Sequence, residues 1–227
     1  MMNFRIVDVK PFNAGLEKIH KNIQGIETQF ETLHKTISGL TNLSDSLKGR
    51  TGEGIKQYFE EVHLMFIKSL GVLLVDFDDA VKDIQAELKG LEEDENGFLH
   101  EGFLVYGIKP ALKKTHDTVL ELTTDVNKEI NRVDHIVQLP TLNLESVYKQ
   151  IEDREKSIKK LTHNIIDFDT NAKKSLENVE TQLNQLRSLI DNMSKTYSEE
   201  NDNSKYLFNK GNTFTSFNKT QLNQSKE

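Results

Sequence analysis

The chain has 227 residues and a formal net charge of −7, and 29% of its residues are charged against 36% that are hydrophobic. This length suits one domain with a tail, and the high charged fraction favours long thin helices over a compact globule. The negative charge argues against nucleic acid as a main ligand, because phosphate binding needs a basic face. The lack of cysteine excludes disulfides, thiolate metal sites and thiol catalysis.

The N-terminus shows no signal of the general secretory kind. It lacks the basic start, the apolar core and the small-residue cleavage site of a Sec signal peptide. The longest apolar stretch, Leu70 to Val75, is far shorter than the roughly 20 residues that span a membrane. We therefore expect no stable membrane insertion, a cytoplasmic location before any export, and export by a route other than Sec.

The first helix is predicted from its apolar spacing. An extended segment over residues 5–9 precedes Pro11, which is typical of a helix start. The helix should end near Leu47, where Gly49 and Gly52 give the backbone the freedom to reverse. The apolar residues between these points recur in steps of three and four, as in the seam of a coiled coil or a helical hairpin: Leu16, Ile19, Ile23, Ile26, Phe30, Leu33, Ile37 and Leu40.

The second helix is predicted from about Gly54 to Glu92. Its central stretch, Phe66 to Phe77, is apolar on more than one side, so we expect it to be buried against more than one neighbour. An acidic run and then Asn96-Gly97, the strongest turn signal in the chain, end this helix.

Residues 96–107 lose the helical phase, which predicts a small non-helical insert. The insert would be extended, hairpin-like, or a loop that packs its own aromatic side chains. Three of its aromatic residues would form either a docking patch or, as is more common, pins that hold the insert to the helices: Phe98, Phe103 and Tyr106.

Two further helices complete the prediction. The third follows Lys109-Pro110 and is broken by Pro140. The fourth, from about Leu144 to Ile190, would be a rod on the order of 75 Å long, and its apolar stripe needs the third helix, the first pair or another chain for burial. Residues 198–227 are polar and predict a disordered tail or linker after a domain over residues 1–197. The predicted fold is an all-α, elongated bundle of about four long helices.

No residue pattern predicts an enzyme active site, a cofactor or a metal. The seven histidines are scattered and form no metal-ligand motif. His63 follows two glutamates, which is compatible with acid–base chemistry but more often describes a histidine on a helix surface. The glycines from Gly49 to Gly54 lack the lysine and hydroxyl residue that end a phosphate-binding loop.

The turn Leu47-Lys48-Gly49, the segment from Ile55 to His63 and the apolar helix that follows together resemble the LXG domain. That domain is the N-terminal module of polymorphic toxins that Gram-positive bacteria export through the type VII, or ESX-like, system and use in interbacterial competition. The resemblance covers nearly the whole chain up to the tail.

The resemblance implies a hairpin related to the small WxG-type helical secreted proteins, with the Leu47–Gly49 turn in place of their Trp-x-Gly turn. It implies small WxG-like helical partners, contact with the export machinery, and a toxic activity in a variable C-terminal domain beyond the tail. The chain would then be either an excised module or a natural short member. The residues expected to determine the turn and the helix start are Leu47, Gly49, Tyr58, Phe59 and His63.

An alternative interpretation comes from a different class of protein. The chain could be a cytoplasmic coiled-coil scaffold or a phage structural protein in which the Leu-x-Gly pattern is accidental. This alternative predicts self-association through the fourth helix and no export.

Overall fold

The computed structural model describes residues 4–43 and 46–199, which are mostly helical and include two short strands. Two of the helical segments, Phe59–Leu64 and Leu104–Ile108, are π-helical. The four long helical stretches confirm the predicted all-α class. The elements in chain order are β1 (Ile6–Asp8), α1 (Val9–Thr41), α2 (Gly49–Tyr58), α3 (Met65–Leu91), β2 (Phe98–His100), α4 (Glu101–Phe103), α5 (Lys109–Val133) and α6 (Glu145–Glu199).

The chain divides into two compact units, each formed by two separate stretches. Unit 1 comprises Met1–Ala14 and Gln85–Ala172, and unit 2 comprises Gly15–Ile84 and Lys173–Glu227. Residues 200–227, which contain almost all of the predicted tail, lie outside the described residues. None of the helices in the described part of the chain combines the length and apolar character that a membrane-spanning helix requires.

The sheet of unit 1 consists of β1 and β2 in antiparallel pairing, with Val7 opposite Leu99. Both of these side chains are buried on the same face, because residues directly opposite each other in a sheet point to the same side. The sheet continues into its flanks through backbone bonds from Val9 N–H to the Gly97 carbonyl and from Glu101 N–H to the Arg5 carbonyl, both 3.0 Å long.

Two kinds of contact join the sheet region to α6 within unit 1. Arg5 Nε donates to Asp169 at 3.0 Å, and Arg5 Nη1 donates to Glu101 at 3.3 Å. Both hydrogen bonds raise the pKa of Arg5 above its ordinary value, and the bond to Asp169 has the larger effect. Phe12 meets Phe168 edge-on with ring centroids 5.9 Å apart. Ile165 has no exposed surface, which identifies it as the centre of this core.

The predicted non-helical insert at residues 96–107 is wrong beyond His100. The backbone is extended only over Phe98–His100, and a helix begins at Glu101 because His100 caps it, with its Nδ1 accepting from Phe103 N–H at 3.1 Å. The helical phase is lost because the next segment is π-helical, and a π turn contains more residues than an α turn. The helix therefore includes Phe103 and Tyr106, which were assigned to the insert.

In unit 2, α3 contacts both α6 and α1. It packs on α6 through a cluster of Leu73, Leu186 and Leu189. It contacts α1 through Asp78, which pairs with His20 and with Lys82. Burial alone would raise the pKa of Asp78, but hydrogen bonds from Lys82 and His20 lower it below its ordinary value.

Three predicted helix boundaries are shifted. Helix α1 ends at Thr41 and not near Leu47, and α2 begins at Gly49 and not near Gly54. Helix α5 ends at Val133, well before Pro140, because the following loop is held by a side chain of the helix. The Asn127 amide donates to the Leu142 carbonyl at 2.9 Å and accepts from Leu142 N–H at 2.7 Å.

The burial of Ile165 predicts a large loss of stability on truncation. Ile165→Ala should lower the free energy of unfolding by about 2–5 kcal/mol, because it removes buried surface and leaves a cavity. Ile190→Ala is the matched control on the same helix, since Ile190 is 48% exposed, and should cost less than about 1 kcal/mol. Urea unfolding followed by circular dichroism measures both. Equal losses for the two variants would show that Ile165 is not a core residue.

Candidate functional site around the Leu47–Gly49 turn

The turn between the first two helices depends on the backbone of Gly49. Its φ is +81°, and no other residue in the described ranges has a positive φ. Lys48, before it, is extended with φ −104° and ψ 156°, and α2 begins at Gly49 itself. A side chain at position 49 would strain the backbone, since the left-handed region favours glycine.

Gly52 allows a second feature of the turn, the close approach of α2 to the preceding chain. A Cβ at position 52 would lie 2.6 Å from the carbonyl carbon of Leu47 and 2.7 Å from its oxygen. The first turn of α2 therefore packs directly on the Leu47 backbone, while the Leu47 side chain is half-buried. The sequence analysis assigned Gly52 to conformational freedom, but its role in the structure is this close packing.

The structure brings Tyr58, Phe59 and His63 together at the start of the first π-helical segment. The ring of Tyr58 meets Phe59 at 5.9 Å and His63 at 5.1 Å, both edge-on, and Phe59 lies 4.8 Å from His63 at 30°. The three residues expected to define the helix start therefore form one aromatic cluster. Their part in targeting stays a prediction.

Burial lowers the pKa of His63 below its ordinary value of 6.5. The imidazole is therefore neutral at pH 7, as expected for a ring packed against two aromatic side chains. Within the described residues, no group of three histidine, aspartate or glutamate side chains is arranged to hold a metal ion. The arrangement of the three rings is one of side-chain packing.

A groove runs between α1 and α3 of unit 2. Its cavity volume is about 480 Å³. Its apolar lining comes from Phe30 on α1 and from Ile67, Leu74 and Val75 on α3, and Gly71 leaves the middle of the α3 wall without a side chain. Charged residues of both signs line it as well: Glu27, Glu31, Lys35 and Lys68.

The groove continues into exposed apolar surface on α3. Val75 is 51% exposed, and Val72, one turn before it, is 50% exposed. The sequence analysis expected the stretch from Phe66 to Phe77 to be buried, and these two valines are exceptions to that expectation. Helices α1 and α6 cover two sides of α3 and leave a third side open.

The apolar seam predicted on α1 is divided into two lines. Leu16, Ile23 and Ile37 are buried. The residues of the other line occur every seventh position and are 36%, 40% and 45% exposed: Ile19, Ile26 and Leu33. By helical geometry the exposed line lies on one flank of the buried line, and the groove residue Glu27 lies on the other flank. Helix α1 therefore has apolar surface available on one side and a groove on the other.

The predicted docking patch belongs to unit 1. Phe98, Phe103 and Tyr106 are all exposed, at 60%, 61% and 59%. Tyr106 contacts Phe4 with ring centroids 5.4 Å apart, so Phe4 is a member of this surface that the sequence analysis missed. The exposure fits a docking surface, and the docking role stays a prediction.

The sequence analysis also missed the groove and both π-helical segments. One signal was present: Gly71 interrupts the most apolar stretch of α3, where a side chain would otherwise be expected. The exposure of Val72 and Val75 had no signal, because an exposed valine and a buried one look alike in an apolar run.

Comparison with known proteins identifies relatives of this chain. The family described as the LXG domain of the WXG superfamily matches residues 5–206. Toxin YxiD from Bacillus subtilis (strain 168) is 25% identical over 193 residues, which cover 85% of this chain and 34% of the relative. The chain thus spans about a third of the length of this curated relative.

Alanine substitutions at Gly52 and Gly25 should have opposite effects on stability, because only Gly52 lies close to another part of the backbone. Gly52→Ala should destabilise the protein by about 1–3 kcal/mol, because the new Cβ would collide with the Leu47 backbone. Gly25→Ala, in the middle of α1 with nothing within 4 Å of the new Cβ, should stabilise it by about 0.5–1 kcal/mol. Urea unfolding gives both values. A stabilising Gly52→Ala would contradict the close packing of the turn.

The lowered pKa of His63 predicts a loss of stability in mild acid. The unfolded chain binds a proton at His63 more readily than the folded chain, so this contribution is complete above about pH 6.5 and is lost as the pH falls toward the lowered pKa. The melting temperature should therefore fall less between about pH 8 and about pH 5 in His63→Phe than in the wild type. Titration of the His63 ring by NMR checks the cause, and a midpoint at or above 6.5 would contradict it.

Proposed function

We propose that this chain directs a toxin to export, because it belongs to the LXG domain family of the WXG superfamily. In this proposal it is a binding module and not an enzyme. It binds small WxG-like helical proteins and delivers the complex to a type VII secretion system. The cargo acts in interbacterial competition.

The relative's name supports the toxin part of the proposal. Toxin YxiD is about three times as long as the region it shares with this chain. We place the toxic activity in a separate domain, which leaves the LXG domain free to act in targeting. The division between a targeting module and a variable toxic domain is what the family resemblance implies.

In this proposal, the groove between α1 and α3 is the binding site for the small helical partner. It has an apolar lining, and it lies between α1, which precedes the Leu47–Gly49 turn, and α3, which follows α2 and the first π-helical segment after that turn. A helix fits such a groove when its apolar residues recur at three- and four-residue spacing. The exposed Val72 and Val75 extend the apolar surface that such a helix would bury.

The charges around the groove set the chemistry of the partner. The glutamates Glu27 and Glu31 and the lysines Lys35 and Lys68 line the same cavity, so its charge is mixed in sign. A partner helix that presents both acidic and basic residues beside its apolar face would match it. Such complementarity selects among small helical proteins more than it adds to affinity.

A self-associating scaffold remains the second candidate, and one observation favours it. This alternative predicts self-association through the fourth helix, and Leu176, Leu183 and Ile190 of α6 are exposed at the seven-residue spacing of a coiled-coil seam. The family match argues against an accidental Leu-x-Gly pattern, which the scaffold interpretation requires. Light scattering on the purified chain separates the candidates, because the scaffold predicts a stable oligomer without any partner.

The groove is tested with Val75→Asp in the full-length protein in its native host. This change places a carboxylate in the apolar cavity and should weaken co-purification of the small helical partner at least about tenfold and reduce secretion with it. Val137→Asp is the matched control, because Val137 is 48% exposed and lies in the loop after α5, outside the groove.

Two results would contradict the proposal in different ways. Normal partner binding and secretion by a folded Val75→Asp variant would exclude the groove as the binding site. An oligomer of the chain alone, combined with no secretion of the wild type, would favour the scaffold. Circular dichroism of each variant establishes that the helices are intact.

A further inference from the structure

We propose that the open edge of β1 in unit 1 binds an extended segment of a partner protein as a third strand of the sheet. This site lies in unit 1, whereas the helix-binding groove lies in unit 2. It recognises backbone groups in place of a helix face. The inference does not depend on the proposed role in export.

The pairing of the two strands determines which backbone groups are available. The ladder bonds of Arg5, Val7 and Val9 face β2. Because the hydrogen-bonding direction alternates along an antiparallel strand, the N–H and C=O of Ile6 and the N–H of Asp8 point to the opposite edge. These groups have the spacing that an added strand requires.

A groove lies alongside this edge and supplies apolar contacts. Its cavity volume is about 480 Å³. Pro11 and Phe12 at the start of α1 form one part of its lining, and Ile165, Phe168 and Ala172 of α6 form another. Phe12 is 40% exposed, so its ring is available to an incoming side chain. An added strand would point every second side chain into this cavity.

The charges beside the groove favour a basic segment. Arg5 is held by Glu101 and Asp169, so one guanidinium lies beside two carboxylates. Asp8 is exposed and forms none of the ion pairs found in the described part of the chain. Among the residues that line the groove, counting Arg5 against Asp8 and Asp169 leaves a formal charge of −1. A lysine or arginine beside the apolar positions of the partner segment would complement it.

These observations define the occupant as an extended segment with apolar residues at alternate positions and at least one basic residue between them. The apolar residues enter the groove against Phe12 and Ala172, and the others lie on the outer face beside Ile6, which is 56% exposed. A helix cannot satisfy this site, because its backbone groups are already bonded within the helix.

The test uses a display library of random heptapeptides panned against the full chain. We expect enriched peptides with alternating apolar residues and an added positive charge. Ile6→Pro should weaken their binding at least about tenfold, because proline removes an N–H at the open edge and leaves the bonds to β2 intact. Ile6→Ala keeps that N–H and should bind within about threefold of the wild type.

The mode of binding has its own readout. The amide hydrogens of Ile6 and Asp8 should exchange with solvent more slowly when an enriched peptide is bound. In Ile6→Pro, a nuclear Overhauser contact between Val7 and Leu99 would establish that the sheet is still formed. Four results would overturn the proposal: no enrichment, enrichment of helical sequences, equal binding to Ile6→Pro, or a dimer of the chain alone that Ile6→Pro abolishes. The last result would assign the edge to a second copy of this chain.

Discussion

An amphipathic helix has to cover its apolar side, and the helices of this chain cover each other only in part. Helix α3 shows the constraint. Helix α6 covers α3 at Leu73, and α1 contacts α3 at Asp78, while Val72 and Val75 stay exposed. On α1 one line of the seam is buried and its neighbour is open. The surfaces available for binding are therefore the parts of the apolar pattern that the fold does not use.

The turn at Leu47–Gly49 precedes α2 and depends on two glycines. Gly49 supplies the positive φ and Gly52 the close approach, so α2 starts directly against the Leu47 backbone. Both functions are backbone functions, which explains why glycines occupy positions 49 and 52. The aromatic cluster of Tyr58, Phe59 and His63 lies where α2 ends and the first π-helical segment begins.

The sequence predicted the helices well, because apolar residues at three- and four-residue spacing have one simple explanation. It predicted the backbone freedom at Gly49, because a chain reversal between two long helices needs such a residue, but not the close packing that Gly52 allows. It failed at residues 101–108, where a π-helical segment shifts the phase and looks like a loop. It also failed at Val72 and Val75, since a one-dimensional pattern shows which faces are apolar and not which neighbour covers them. The open edge of β1 had no sequence signal, because it consists of backbone groups.

The two candidate surfaces should respond differently to sequence divergence. The groove between α1 and α3 recognises a partner through side chains such as Phe30 and Val75, so it changes whenever those residues change. The edge of β1 offers the N–H and C=O of Ile6, which every residue except proline supplies in full. At 25% identity to Toxin YxiD, most side chains differ while the backbone pairing can persist. Recognition at the strand edge would therefore be the more general of the two, and recognition in the helix groove the more specific to each toxin.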